Sequence, residues 1–396
     1  MANQLLSAYS PNQIKILNHI RRQGKITRGD LTEVSGFKLL TVTKTVGRLL
    51  EDGIIVEAGY EESTGGRKAT LLSVNPDFRY SLAVDIGSSR THVGVIGMDG
   101  SVLEHQELNR SSKEVKANVT VEQLRSLLQK LVDKYGRSKI LGLGIGISGV
   151  VRHDEGRIVF CPNLNGWNDI DVNKEFGEPL GIPVFVDTAA RCLALAEYTL
   201  GAGKGTENMI ALSTGNSIVA GIIMDGQVYR GANGAAGEIG HTCVRTDGKQ
   251  CTCGNVGCLE LYATLGIIVR QVENRLGSFK GFSPLKAMLA GRSEPTPEEI
   301  RLAAEQGDKV AIDVLARCAE TLATAIGYLA NIVNPKLIVL GGSTIGAFPT
   351  LAEDIERIVR HQGFTVTHQN LTIKVAQLAD NDGMIGAGLQ VVGDFF

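Results

Sequence analysis

No apolar run in this 396-residue chain approaches the roughly 18 residues that a membrane-crossing helix requires. The polar N-terminus, MANQLLSAYSPNQ, lacks the apolar core of a secretory signal. Both absences point to a cytoplasmic protein with no membrane partner. Paired cysteines are missing as well: there are seven, and Cys161, Cys192, Cys243 and Cys318 are scattered through apolar segments. These read as reduced core thiols, which excludes a disulfide framework. Strong charge of either sign is absent, since the formal net charge is −2. Beneath that balance, residues 1–76 hold ten Lys/Arg against seven Asp/Glu, a footprint too mild to identify nucleic acid by itself. What is plentiful is glycine, 48 residues in a chain that is 43% hydrophobic, which suits an α/β protein of two or three domains with many tight turns.

The densest chemistry lies between Gly234 and Glu260, GAAGEIGHTCVRTDGKQCTCGNVGCLE. Cys251, Cys253 and Cys258 are spaced C-x-C-x4-C, with His241 ten residues upstream and Gly248, Gly254 and Gly257 where the backbone must turn. Four nitrogen and sulfur ligands in one short span suit a closed tetrahedral zinc site, and a closed site is structural. Glu238 and Glu260 flank the cluster. On spacing alone they are either acceptors for a polyhydroxylated ligand, held in place by the metal, or partners that orient the metal ligands.

The pattern E-x-G-H followed by C-x-C-G-x-x-G-C-x-E resembles the signature of the ROK family, named for repressors, open reading frames and kinases. In that family the histidine and both glutamates hold a sugar. The resemblance therefore implies a sugar contact for Glu238, His241 and Glu260, beside the metal role of His241, Cys251, Cys253 and Cys258.

At the other end of the chain, Ser10 and Pro11 can cap and start a helix with Ile14, Leu17 and Ile20 inward, ending at Gly24. Thr27, with Asp30 three residues on, opens a second helix that turns Leu31 and Val34 inward before Gly36. A third, from Leu39 to Asp52, buries Val42, Val46, Leu49 and Leu50 and directs Thr41, Thr43, Lys44, Thr45 and Arg48 outward. Two strands follow, Ile54 to Glu57 and Ala69 to Val74, joined by EESTGGRK. Three helices and a two-stranded wing describe a winged helix-turn-helix, whose third helix enters the major groove of double-stranded operator DNA. Thr41, Thr43, Lys44 and Arg48 are the expected contacts there, with Arg67 and Lys68 on the wing. A three-helix module that binds protein is the alternative. The segment also resembles the DNA-binding domain of ROK repressors, with Lys38 and Leu39 in place of the family's Ser-Lys pair and Lys68 in place of a proline.

Beyond Asn75 and Pro76 the architecture changes. Tyr80 onward reads as three strands with a glycine turn and an MDG hairpin, and Met209 to Arg230 repeats that plan with its own MDG. This is an internal duplication. Strands and helices alternate elsewhere, so periodicity gives an α/β chain. The resemblance implies more: a duplicated actin/ribonuclease-H-like two-lobed sugar-kinase fold behind the winged helix-turn-helix. The expected domains are 1–76, a first lobe at 77–188 with a C-terminal helix at 383–396 packing back on it, and a second lobe at 189–382 carrying the zinc site.

Kinase chemistry needs glycine-rich phosphate loops and a general base. The first loop, Asp85 to Arg90, has serine where the family's D-x-G-G-T has its second glycine. The second, Gly215 to Gly221, keeps only its outer glycines, so Ser217, Val219 and Ala220 would crowd a nucleotide. Where ROK kinases carry Asn-Asp after the strand Val184 to Val186, this chain has Thr188-Ala189, which places a methyl group at the base position. Asn163, in PNLNGW, falls at a family sugar contact or is a turn-forming asparagine, and Thr188 replaces the sugar-binding Asn. The resemblance implies a non-catalytic regulator, a repressor of carbohydrate genes working as a homodimer or homotetramer, with a carbohydrate effector and a structural zinc ion. An active sugar kinase with a fused DNA-binding domain, or a sensor that recruits protein, are the alternatives.

Overall fold

Side chains close the first two helices where the sequence expects it in the computed structural model, which describes residues 9–61, 68–87, 90–109, 119–161, 164–361, 364–378 and 382–395. Ser10 accepts from the Gln13 amide while Gln13 reaches back to the Ser10 amide, opening α1 (Pro11–Gln23). Thr27 and Asp30 repeat that reciprocal pair at α2 (Arg28–Ser35), which ends on Gly36 at φ +70°. With α3 (Leu39–Glu51) and the strands β1 (Ile26–Thr27), β2 (Ile55–Tyr60) and β3 (Thr70–Val74), in the order β1-β3-β2, they complete a winged helix-turn-helix. Two inward and outward assignments change. Thr45 is only 4% exposed, because it lies three residues after Val42 and four before Leu49 on the buried stripe. Val34 is 44% exposed, since the buried face of α2 runs from Leu31 to Ser35, whose hydroxyl donates to the Leu31 carbonyl. Ile14 and Leu50 are half-buried at the margin. Arg67, with the rest of 62–67, lies outside the described residues; Lys68 is exposed.

The chain divides into two compact units, the first being Met1–Thr199 with Asn381–Phe396. Its large sheet has the order β11-β7-β4-β5-β6. The strands are β4 (Tyr80–Ile86), β5 (Arg90–Gly97) and β6 (Val102–Asn109) as an antiparallel meander, then β7 (Ile140–Ile147) and β11 (Val184–Thr188) in parallel. Helices α4 (Val121–Tyr135), α5 (Glu178–Leu180) and α6 (Ala189–Thr199) flank it, and this unit runs to Thr199. A small antiparallel sheet holds β8 (Val150–Arg152), β9 (Arg157–Phe160) and β10 (Ile170–Asp171).

The C-terminal helix α15 (Asp382–Phe395) packs back on β4, β5, β7 and α6. Gly386 lets it approach α6, because a Cβ there would overlap the Cys192 carbonyl. Val391 and Val392 join Met98 and Leu141 in the same apolar cluster as Ile16, Leu17, Val42 and Leu49, so the core of the winged helix-turn-helix takes in residues of the lobe's sheet and C-terminal helix.

The second unit, Leu200–Asp380, repeats the strand plan in the order β14-β13-β12-β15-β16. Here β12 (Met209–Thr214), β13 (Ile218–Met224) and β14 (Gln227–Tyr229) form the meander, and β15 (Leu337–Gly341) and β16 (Thr372–Val375) run parallel. At its MDG turn Asp225 and Gly226 both have positive φ, 51° and 75°, the geometry a two-residue hairpin selects. The helices are α7 (Glu260–Ala263), α8 (Leu265–Ser278), α9 (Pro284–Leu289), α10 (Pro297–Glu305), α11 (Lys309–Val333), α12 (Ser343–Ala347), α13 (Thr350–His361) and α14 (Thr365–His368). The proline-containing stretch 277–297 contains α9, capped by Ser283. Among the described residues no helix is long and apolar enough to cross a membrane.

Candidate metal centre and recognition helix

Two glycines set the position of the Glu238–His241 segment. A Cβ at Gly237 would overlap the Ala220 carbonyl and one at Gly240 the Ile218 carbonyl, so the chain lies directly on β13. It then turns through a short 3-10 segment, Ile239–His241. The cysteine loop folds back as a narrow hairpin, with Cys243 opposite Cys258 and Gln250 opposite Val256. Leu259 N donates to Thr242 O at 3.0 Å and Cys251 N to Asn255 O at 2.8 Å. Asn255, which sequence reasoning passed over, donates through Nδ2 to the His241 carbonyl at 3.2 Å and ties the two strands of the site together.

The turn brings all four expected ligands together, with the His241, Cys251, Cys253 and Cys258 ligand atoms within 4.8 Å of one another. Cys253 Sγ lies 3.7 Å from Cys258 Sγ, and Cys251 Sγ lies 3.8 Å from His241 Nδ1. A zinc tetrahedron with Zn–S of about 2.3 Å and Zn–N of about 2.0 Å has edges of about 3.5–3.8 Å, so the donor set fits such an ion. Burial, followed by the neighbouring Cys253 and Cys251 thiols, pushes the Cys258 thiol up to about 12. Burial also raises Cys251, while the Asn255 backbone N–H holds Cys253 below its ordinary value. A divalent cation would replace the protons that this crowding otherwise retains.

Glu260 stands against two of these ligands, with Oε1 accepting from Cys251 Sγ at 3.4 Å and 3.5 Å from His241 Nδ1. That contact suits a carboxylate that orients metal ligands, and it leaves Oε2 for the other role its spacing allows, that of an acceptor for a polyhydroxylated ligand. Its side chain is 20% exposed and that of His241 38%, so both keep a face toward solvent. Glu238 is half-buried at the start of the 3-10 turn.

In the first unit Thr188 ends β11 and is buried, its Oγ1 accepting from the Arg191 amide at 3.4 Å. Asn163 lies outside the described residues. The neighbouring Asp187 is locked in place. Its Oδ1 accepts from Arg191 Nη1 at 2.8 Å and from the Thr188 amide at 2.8 Å, with both side chains of the ion pair 2% exposed. His153 on the far side bonds through Nδ1 to the Val186 carbonyl at 2.9 Å and lies 3.8 Å from Asp187 Oδ2. The Asp187 carboxylate is thus engaged by the guanidinium rather than open to a substrate hydroxyl, and Ala189 beside it has no group that accepts a proton.

Asp85, at the end of β4 in the first glycine turn, has Oδ1 buried and without a hydrogen-bond partner among the described residues. Burial pushes its carboxyl up from the ordinary 3.8 to about 6. Between those two values the folded chain holds the extra proton, so this group's contribution to stability falls as pH rises through that window. Asp85→Asn is expected to melt higher than the parent near pH 7.5, with the gain vanishing below pH 4. Melting curves at both pH values check this, and an equal shift at both would show that the carboxylate ionises without penalty.

On α3, Thr41, Thr43, Lys44 and Arg48 are exposed as expected. Arg48 is partly engaged: its Nε is 3.6 Å from Asp52 Oδ2 and its guanidinium lies 4.8 Å from the Tyr9 ring centre. Leu40, which the sequence pattern did not single out, is 81% exposed on the same helix.

A profile described as the ROK family matches residues 81–392, and one described as winged helix-turn-helix DNA-binding matches residues 10–56. The chain is 30% identical over 393 residues to the xylose repressor of Caldicellulosiruptor bescii, covering 97% of this chain and 96% of that protein. It is 30% identical over 313 residues to a glucokinase of Halalkalibacterium halodurans, covering 78% of this chain and 94% of that one. Among solved structures, a ROK family transcriptional regulator, a homologue of the E. coli Mlc protein, matches with a TM-score of 0.76 at 28% identity, over 97% of this chain and 98% of the other. The repeated sheets are those of the duplicated actin/ribonuclease-H-like α/β fold.

Proposed function

The chain belongs to the ROK family, and on that premise we propose that it is a DNA-binding transcriptional repressor of carbohydrate-utilisation genes, governed by a sugar held in a ROK domain that no longer phosphorylates it. One observation carries the reading: a winged helix-turn-helix shares its apolar core with a kinase-like lobe in which Ala189 stands at the base position and Asp187 is paired to Arg191. Similarity over nearly the full length to a xylose repressor supports it.

In this reading Thr41, Thr43, Lys44 and Arg48 contact the operator, with Arg67 and Lys68 on the wing. Asn163, Thr188, Glu238, His241 and Glu260 meet the sugar or sugar phosphate. Zinc on His241, Cys251, Cys253 and Cys258 is structural, holding His241 and Glu260 in position. The repressor works in the cytoplasm as a homodimer or homotetramer, so that two recognition helices meet two half-sites. The effector favours one of two states of the protein and weakens DNA binding by its differential affinity for them.

The test is fluorescence anisotropy of the purified chain on its own promoter duplex, titrated with D-xylose, D-glucose, N-acetyl-D-glucosamine and their phosphates. Binding with a Kd of about 10⁻⁸ M or tighter, weakened at least tenfold by one of these, is expected. Sugar-dependent ATP turnover would instead make the chain a kinase, and absence of DNA binding even at low salt would remove the repressor reading.

A further inference from the structure

The outward face of α3 is not the polar surface that its neighbours suggest. At about 100° per residue, the buried Val42, Thr45, Val46 and Leu49 define one side of the helix, and the direction opposite them passes through Leu40, Lys44 and Gly47 and, at the C-terminal end three turns from Leu40, the exposed Glu51. Leu40 therefore sits at the centre of the exposed face, at 81% exposure, with Leu39 beside it at 57%. Neither belongs to the apolar cluster beneath the helix. Exposed Lys38 and Lys44 flank them, and the first turn carries no acidic residue. Gly47 is equally unexplained from within. A Cβ there would meet nothing within 4 Å, although glycine inside a helix is one of the least stable choices.

An apolar side chain framed by cations fits the major groove of DNA, where phosphates draw the cations and the single apolar group on a base edge is the C5-methyl of thymine. We propose that Leu40 is a base-reading residue that packs on a thymine methyl, and that Gly47 lets the second half of α3 lie close against the groove. This rests on the DNA-binding reading above and adds to it which base feature is read, by a residue that can make no hydrogen bond.

The experiment begins by selecting binding sites from a random duplex pool with the full chain. Anisotropy is then measured on the selected duplex with each thymine replaced singly by deoxyuridine, which removes only the methyl. One thymine per half-site should show a loss of about fourfold, as burial of one methyl group implies. Leu40→Ala, which changes both half-sites at once, should lose about the product of the two single-thymine factors, roughly 16-fold, on the intact duplex and become indifferent to deoxyuridine at both positions, with an unchanged melting temperature. Gly47→Ala should melt higher than the parent and bind the same duplex at least fivefold more weakly. An enriched sequence at which every deoxyuridine is tolerated, or at which the losses persist in Leu40→Ala, overturns the thymine contact while leaving DNA binding intact. Gly47→Ala with unchanged affinity overturns the close approach. Failure to enrich any sequence overturns the DNA-binding reading, and this inference with it.

Discussion

Cys258→Ser is expected to purify with little or no bound zinc, and the parent chain with about one equivalent, held by the His241, Cys251, Cys253 and Cys258 cluster. Cys258 is fully buried, its sulfur lies 3.7 Å from Cys253 and 3.4 Å from the His241 carbonyl, and serine at that point supplies neither a thiolate nor the same reach. The loop has little else to hold it. Between Cys243 and Leu259 the backbone forms only isolated bridges and turns, so its order depends on the cation as that of a small metallo-domain does. Melting should fall by about 5–10 °C, taking a loss of a few kcal/mol in a unit of this size. The larger effect is functional: with His241 and Glu260 no longer fixed, the sugar should lose at least tenfold in its power to release DNA, while operator binding without sugar persists. Gly257→Ala should reproduce this without touching a ligand, because φ there is +71° and a Cβ would overlap the Arg245 carbonyl. Cys318→Ser, a buried thiol on α11, serves as the control with metal retained. Elemental analysis of the three variants decides the matter, and full zinc in Cys258→Ser would remove the proposed site.

The local signals in this chain were easy to read because they are chemically local. Ser10 with Gln13 and Thr27 with Asp30 close their helices through contacts three residues apart, and the C-x-C-x4-C spacing folds onto itself with His241 only ten residues away. The duplication was legible for a similar reason, since each MDG hairpin anchors one meander and the two meanders recur with the same strand order. What escaped the sequence depends on contacts between distant segments. Nothing around Asp187 announces that Arg191 turns inward to meet it or that His153 arrives from β8. Thr45 was assigned outward on chemical type, although its place between Val42 and Leu49 buries it. Leu40 shows the reverse error, an apolar residue that helical spacing puts outside and that hydropathy gives no reason to notice.

Arg191→Met is expected to destabilise the first unit by about 3–5 kcal/mol, the loss typical of a buried charge left without its partner. Both side chains are 2% exposed and the pair closes at 2.8 Å, so removing the guanidinium takes from Asp187 a buried cation in direct contact with it. Asp187→Asn alone should cost a comparable amount, because it removes the carboxylate that the buried Arg191 guanidinium meets at 2.8 Å. The double variant Asp187→Leu, Arg191→Met should recover most of the loss, because an apolar pair of similar size carries no charge to desolvate. Thermal or urea unfolding of the full chain reads all three. The same pair bears on chemistry, since a general base must reach the proton it takes and the Asp187 carboxylate is turned onto the buried Arg191 guanidinium at 2.8 Å. Arg191→Met leaves Ala189 where the family resemblance puts the base, so sugar phosphorylation is expected to be absent from the variant and the parent alike. Single-variant costs below about 1 kcal/mol would mean that the pair is solvated and its charges weakly coupled. Asp187 would then be available to a substrate hydroxyl, and phosphoryl transfer would return as a reaction open to this chain.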